Sequence, residues 1–324
     1  MAKLTLGVVF HPSFPPETLA DFARRAEAGG FETLWLWDDC FLPGAFTAAA
    51  IALSATQQLK VGIGLLPATV YNPLFAAMEI TTLARAFPNR FIAGFGHGVG
   101  AWMAQIGAAP RSSLIALEET VKAVRALLNG ETLTVDGQTV HLTHVKIDLP
   151  PQVAPPIYVG AMREKSLRLA GRIGDGTLLT SMSSPAYVRW THDQVAQGMA
   201  RTGHENHQIA VYLDTKISPD GQSARDAARS ALAKRYPWAD VQIEQAGITA
   251  EVEAFVTAHG VGSLAEQMPD AWLDAFAAAG TPDQATAAIL RLAEAGADHI
   301  ILQPLNGDPT CLDEYCRDLL PRLR

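Results

Sequence analysis

The stretch "FIAGFGHGVGAW", residues 91–102, decides the fold. Read from Gly96 it runs Gly96-x-Gly98-x-x-Ala101 after an apolar, strand-like run, and Glu118 stands twenty residues beyond the second glycine. That is the outline of a dinucleotide fingerprint, in which glycines shape a tight turn and an acid takes a ribose hydroxyl. Its position argues otherwise. The fingerprint belongs at the first β/α turn of its unit, whereas three complete β/α units precede Gly94 here. Glycines also recur where other strand-like runs end, at Gly62, Gly64 and Gly160. Backbone opened at several strand ends fits a barrel whose ligands enter at that face. The rival dinucleotide reading predicts that the chain binds NADH.

Working outward, the alternation holds along most of the chain. "TLGVVF" (5–10) precedes a helix in which Leu19, Phe22, Ala23 and Ala26 recur at helical spacing before Gly29-Gly30. "TLWLW" (33–37) precedes an Ala-rich helix, "KVGIGLL" (60–66) precedes "PLFAAMEITTLARAF", and "RFIAGFG" (90–96) precedes "LIALEETVKAVRALLNG". A hairpin then intrudes at residues 131–142, where Asp136-Gly137 signals a turn between alternating strands. Strands follow at 155–161, 175–181, 208–217 and 297–305, for about eight in all. The stretch from Ser218 to Gly280 has helical periodicity and no strand signal, and is expected to form extra helices at one end of the molecule. The expected fold is α/β: a single (β/α)8 TIM barrel over residues 1–324 with a hairpin insertion at 131–142 and a helical one at about 218–280.

Composition narrows the function. Of 324 residues, 48% are hydrophobic and 18% charged, ample for a core. The net charge is −8 and no basic cluster interleaves with aromatics, so neither nucleic acid nor an anionic membrane is an expected partner. The most apolar stretch, Ala45 to Ala55, is far shorter than the roughly 20 residues a spanning helix needs. The opening "MAKLTLGVVFHPSF" lacks a signal-peptide cleavage pattern, and a cytoplasmic location is expected. Cys40, Cys311 and Cys316 form neither a disulfide framework nor a CxxC pair, and Cys40 reads as a packing residue. The nine histidines show no HxxxH or HxH pairing, so no metal is expected.

Five blocks, "LWLWDD" (34–39), "VGIGLLPATVYNP" (61–73), "FPNRFIAGFGHGVGAWM" (87–103), "PIYVGAMREKSLRLAGRIGDGTLLTS" (156–181) and "GTPDQATAAILRLAEAGADHIIL" (280–302), carry a similarity that extends over essentially the whole chain. In this order they resemble the bacterial luciferase-like superfamily, and within it the branch that uses the deazaflavin coenzyme F420. The resemblance implies a β/α barrel with an insertion near its seventh strand, a homodimer, and a flat tricyclic ring in the barrel mouth.

It also implies site residues. Asp38 matches an acidic position close to the deazaflavin ring, with a helix cap as its structural alternative. Gly64-Leu65 matches the place of a non-proline cis peptide in a bulge behind the ring. His97 and Gly98 match residues at the ring's edge, a satisfied structural histidine being the alternative. Gly160, Ala161, Met162 and Arg163 match a turn whose N–H groups hold the coenzyme's phosphate at a helix start, with Thr180 and Ser181 as hydroxyl donors nearby. Lys165, Arg168 or Arg172 could meet the acidic tail, or form a solvated basic face.

The candidate catalytic residues are Asp38, Asp39 and His97, and His11, Asp39 and His97 could each handle a proton. Relatives that oxidise a sugar phosphate carry histidine and glutamate where this chain has Asp39 and Val99, which argues against that substrate. Trp37, Trp102 and Trp190 could wall an apolar substrate cavity or pack in the core. The expected activity is hydride transfer between F420 and an unidentified small organic substrate. The alternatives are an FMN-dependent monooxygenase, which would need a flavin reductase as partner, and a flavin-binding protein without turnover.

Overall fold

Most strand-like runs are apolar at consecutive positions rather than alternate ones, as a strand covered on both faces requires. The computed structural model describes residues 4–203, 206–307 and 309–324, residue 306 through its backbone alone; the first three residues of the opening segment thus lie outside it. In chain order the strands are β1 (Thr5–Val9), β2 (Thr33–Leu36), β3 (Lys60–Pro67), β4 (Phe91–Gly96), β5 (Leu133–Asp136), β6 (His141–Val145), β7 (Ile157–Gly160), β8 (Gly176–Leu179), β9 (Gln208–Ile217), β10 (Ala277–Gly280) and β11 (His299–Pro304). Eight of them, β1-β2-β3-β4-β7-β8-β9-β11, pair in parallel and close on themselves through β8–β9 and β11–β1. This is a (β/α)8 barrel, and the eight strands are those expected.

Helices cover the barrel: α1 (Leu19–Gly29), α2 (Ala45–Ala55), α3 (Pro73–Ala86), α4 (Gly100–Gln105), α5 (Ser113–Leu128), α6 (Glu164–Ile173) and α7 (Pro185–Met199). After β9 an excursion adds α8 (Gln222–Arg235), α9 (Asp240–Gln245), α10 (Thr249–His259), α11 (Leu264–Gln267) and α12 (Asp270–Phe276), before α13 (Pro282–Glu294) resumes the outer layer. The apolar face of α1 buries Leu19, Phe22, Ala23 and Ala26, and the helix stops at Gly30, whose φ of 96° suits a residue without a side chain. Inside the barrel, Trp35 packs with Val9, Tyr158, Tyr212 and Ile301. A Cβ on Gly62 would lie 2.6 Å from the Trp35 ring, so the indole fits because its neighbour on β3 has none.

Two features differ from expectation and a third bears on the rival dinucleotide reading. Ala277–Gly280 is a strand, although its Ala-rich composition reads as helix; it pairs with Asp214–Ile217 of β9, beyond the Gln208–Val211 segment that β8 uses, and burial overrides propensity. The hairpin reaches Val145, and the Glu119 carboxylate of α5 accepts from Gln138 N, Thr139 N, Thr139 Oγ1 and Val140 N, which fixes its turn. The glycines after β4 lead into α4, only six residues long, and not into the long first helix of a dinucleotide fold.

Candidate active site

The C-terminal ends of the barrel strands, capped by the excursion, enclose a cavity of about 630 Å³. It is bordered by residues after β1 (His11), β2 (Trp37 to Cys40), β4 (His97 to Met103), β7 (Gly160 to Arg163) and β8 (Thr180 to Met182), by Gly64, Leu65 and Tyr212, and by Arg235, Trp238, Gln242 and Gln303. All twelve residues expected at the site therefore border one cavity. Ligand sites in this fold lie at this face.

The floor is built around residue 65. The Gly64–Leu65 peptide is cis, and the β3–β4 register shifts between Ile63 and Leu66. The Tyr212 hydroxyl donates to Gly64 O at 2.9 Å. Leu65 lies across two neighbouring strands: a Cβ on Gly96 or Gly160 would come within 2.4 or 2.3 Å of its Cδ2. Gly98, at φ 69°, then turns the chain along the cavity edge toward α4. Absent side chains at 96 and 160 thus make room for Leu65, whose side chain and Gly160 border the cavity as an apolar floor.

Next to this floor begins α6. Ala161 N donates to Leu178 O at 3.3 Å, and Met162 O accepts from the Tyr187 hydroxyl at 2.7 Å, so α7 anchors the turn. The first N–H groups of a helix have no intrahelical acceptor, and with the helix dipole they favour an anion. The Arg163 side chain leaves the turn, and its Nη2 alone donates to both carboxylate oxygens of Asp240 of the excursion, at 2.9 Å each. Arg168 is engaged by Glu164 and Gln194, Arg172 by Glu118, and neither they nor Lys165 border the cavity. Arg168 and Arg172 thus turn to their helical neighbours and Lys165 is exposed, which is nearer the solvated basic face than a contact inside the cavity.

The acidic side is formed by β2. Asp38 accepts from Ala45 N at 3.0 Å, capping α2, and from the Tyr71 hydroxyl at 2.8 Å, so both oxygens are occupied while the residue still borders the cavity. Burial, followed by the charge of Asp38, raises the pKa of the Tyr71 hydroxyl well above its usual value. Asp39 has no hydrogen-bond partner for its carboxyl among the described residues; burial first, then the charge of Asp38, push its pKa up. His97 donates Nδ1–H to Ser113 O at 3.1 Å, which leaves Nε2 as the acceptor of a neutral ring, and burial lowers its pKa. His11 accepts from Ser13 N at Nδ1, 3.2 Å, so its neutral ring carries hydrogen on Nε2; burial, then the charge of Arg235, lower its pKa.

A polar chain that the sequence did not disclose closes the opposite wall. Asp214, with no exposed surface, receives Arg235 Nε at 2.8 Å and Nη2 at 2.7 Å, and Gln303 Nε2 at 2.9 Å. Ser181 Oγ donates to Gln303 Oε1 at 3.1 Å and is thereby committed within the protein. Burial pushes the Asp214 carboxyl up while the Arg235 guanidinium pulls it down. Gln303 was legible as the one polar residue within the apolar end of β11, but nothing in the periodicity of the excursion marked Arg235. Of the three tryptophans, Trp37 and Trp102 border the cavity; Trp190 does not, and packs on Tyr187 at 5.6 Å on the outer layer. At the rim, Phe41 and Met182 hold φ of 74° and 69°, a strained conformation that clusters at functional sites.

A family model described as luciferase-like monooxygenase matches residues 4–299. The chain is 29% identical over 306 residues to a 5,10-methylenetetrahydromethanopterin reductase of Methanolobus tindarius, covering 92% of this chain and 93% of that one. It is 27% identical over 350 residues to an F420-dependent glucose-6-phosphate dehydrogenase of Tsukamurella paurometabola, covering 100% and 99%. Among solved structures, the coenzyme F420 dependent tetrahydromethanopterin reductase from Methanopyrus kandleri superposes over 100% of both chains with a TM-score of 0.86 at 22% identity.

Proposed function

The chain belongs to the luciferase-like monooxygenase family, and we propose that within it the protein works as an F420-dependent oxidoreductase acting on a small organic molecule. The observation that carries this reading is the make-up of the cavity: an apolar floor at Leu65 and Gly160, with Gly64 and Gly98 beside it, running up to the start of α6. The floor suits a tricyclic ring and the helix start suits a phosphate, and two relatives are named for F420. When bound, the deazaflavin supplies or accepts a hydride.

The protein's part is to bind, to orient and to manage one proton. Leu65, Gly98 and Gly160 to Met162 would hold the coenzyme, with Thr180 at the rim. Asp38 is a fixed negative charge, held by Ala45 N and Tyr71. Asp39 is the group best suited to carry a proton, because its carboxyl is unpartnered and its pKa is raised. His97 offers a neutral Nε2 as a second acceptor at the cavity edge. Asp39 and Val99 in place of histidine and glutamate argue for a substrate other than a sugar phosphate.

Phe75 and Met78 on α3, 63% and 47% exposed, and Ile51 on the adjacent α2 form an apolar outer face, and we assign it to a homodimer. The deciding experiment titrates the purified protein in parallel with F420, FMN and NADH by fluorescence. Tight binding of F420 alone is expected; preference for FMN would indicate the monooxygenase reading, and binding of NADH alone would remove the deazaflavin.

A further inference from the structure

Arg235 is built into the wall facing the cofactor floor. Its Nε and Nη2 edge is spent on Asp214, a carboxylate with no exposed surface that Gln303 also holds. That double contact fixes the plane of the guanidinium. Its Nη1 edge makes no hydrogen bond among the described residues, and the residue borders the cavity. His11, after β1 on the same side of the ring of strands, presents Nε2–H, because Nδ1 accepts from Ser13 N. Two donors of this kind, one cationic and one neutral, call for an oxygen acceptor.

The charge selects among acceptors. Asp214 already offsets one positive charge, and no other cation borders this wall; Arg163, the remaining arginine of the cavity, is paired with Asp240. With Arg235 balanced by Asp214 and with Asp38 and Asp39 on the same cavity, a dianionic phosphate would add two negative charges, whereas a carboxylate adds one and its two oxygens match one guanidinium edge and one N–H. The surrounding walls are flat and apolar: Trp37 packs edge-on against His11 at 5.0 Å, and Trp102 and Trp238 border the same space.

We propose that Arg235, held in place by Asp214, anchors the carboxylate of the substrate, and that the substrate is a small organic acid with a flat apolar body. This rests on the oxidoreductase reading of the same cavity. The test titrates the full chain, free of cofactor, with benzoate, with its neutral analogue benzamide and with inorganic phosphate, following tryptophan fluorescence, while a parallel titration follows F420.

The wild type is expected to prefer benzoate to benzamide by about tenfold or more. Removing both charges together, Arg235→Gln with Asp214→Asn, avoids stranding a buried carboxylate and should reduce that preference to within about twofold, with F420 affinity kept within about threefold. Arg235→Lys, which retains the charge but not the fork, should fall between. Equal binding of benzoate and benzamide, survival of the preference in the double variant, or displacement of benzoate by phosphate at equal concentration would each overturn the proposal. Failure of F420 to bind while the benzoate preference persists would remove the cofactor and support the carboxylate anchor.

Discussion

Replacing Gly198 by alanine separates local propensity from tertiary packing, because the two predict opposite signs. Alanine within a helix is worth about 1 kcal/mol over glycine, so α7 considered alone should gain stability. In the fold, however, a Cβ at 198 would lie 2.1 Å from the carbonyl oxygen of Arg168 on α6, and one at Gly171 would lie 2.2 Å from that of Val195 on α7. The two helices meet through backbone at both points. Neither carbonyl can rotate aside, so the axes must part by about 1 Å, and overpacking of this kind costs typically 1–3 kcal/mol. With the upper part of that range set against the propensity gain, the net loss is about 1–2 kcal/mol, or about 2–3 °C for a chain of this length. α6 begins at the turn expected to hold the phosphate, and Tyr187 of α7 anchors that turn at Met162 O, so F420 affinity should fall severalfold as well. Thermal denaturation of Gly198→Ala is compared with Gly100→Ala, where the added methyl group meets open space and stability should hold or rise. A Gly198→Ala midpoint at or above wild type would refute the reasoning.

Glu119→Gln should loosen the hairpin turn. Its carboxyl is held at about 2 by backbone N–H groups of residues 138–140 and Thr139 Oγ1, which outweigh desolvation. Since the folded pKa lies below the unfolded value of 4.5, the contribution is complete above that pH and disappears as pH falls toward 2. Discounted for partial exposure it is worth about 1–2 kcal/mol, so urea midpoints of wild type and variant should differ at pH 7 and converge near pH 2. Asp38→Ala removes the cap of α2 and the acceptor of Tyr71, and should cost about 1–2 kcal/mol in the same assay. Phe75→Glu together with Met78→Lys should convert a dimer to monomer in analytical ultracentrifugation, leaving the melting curve of the dissociated chain cooperative.

The barrel was legible because its strands are buried on both faces, and continuous runs such as "TLGVV" and "HIILQP" survive any local reading. β10 was not: "AAAG" has no strand propensity, and only the free edge of β9 at Asp214–Ile217 makes it a strand. The same divide runs through the cavity. Glycines and acids at strand ends carry their position in the sequence, because strand order and direction place them at one face. Arg235 lies 21 residues from Asp214, and no periodicity links a helix end to the strand residue it grips. Trp190 and the basic residues of α6 stayed undecided for a related reason: helix spacing says which face a residue shares, not whether that face meets a neighbour or the mouth.

The excursion carries its own hydrophobic core, of Leu232, Ile243, Val252, Leu264, Trp272, Leu273 and Phe276, separate from the strand–helix core of the barrel and joined to the mouth at Met182 and Leu305. Arg235, Trp238 and Gln242 therefore ride on a module whose packing is settled apart from barrel closure. Substitutions there can alter what the mouth admits while the eight strands, the Leu65 floor and the α6 turn stay as they are. Part of the mouth is thus written in a stretch of chain apart from the barrel strands, and selection can revise that part without reopening the barrel, as long as Asp214 keeps its hold on Arg235.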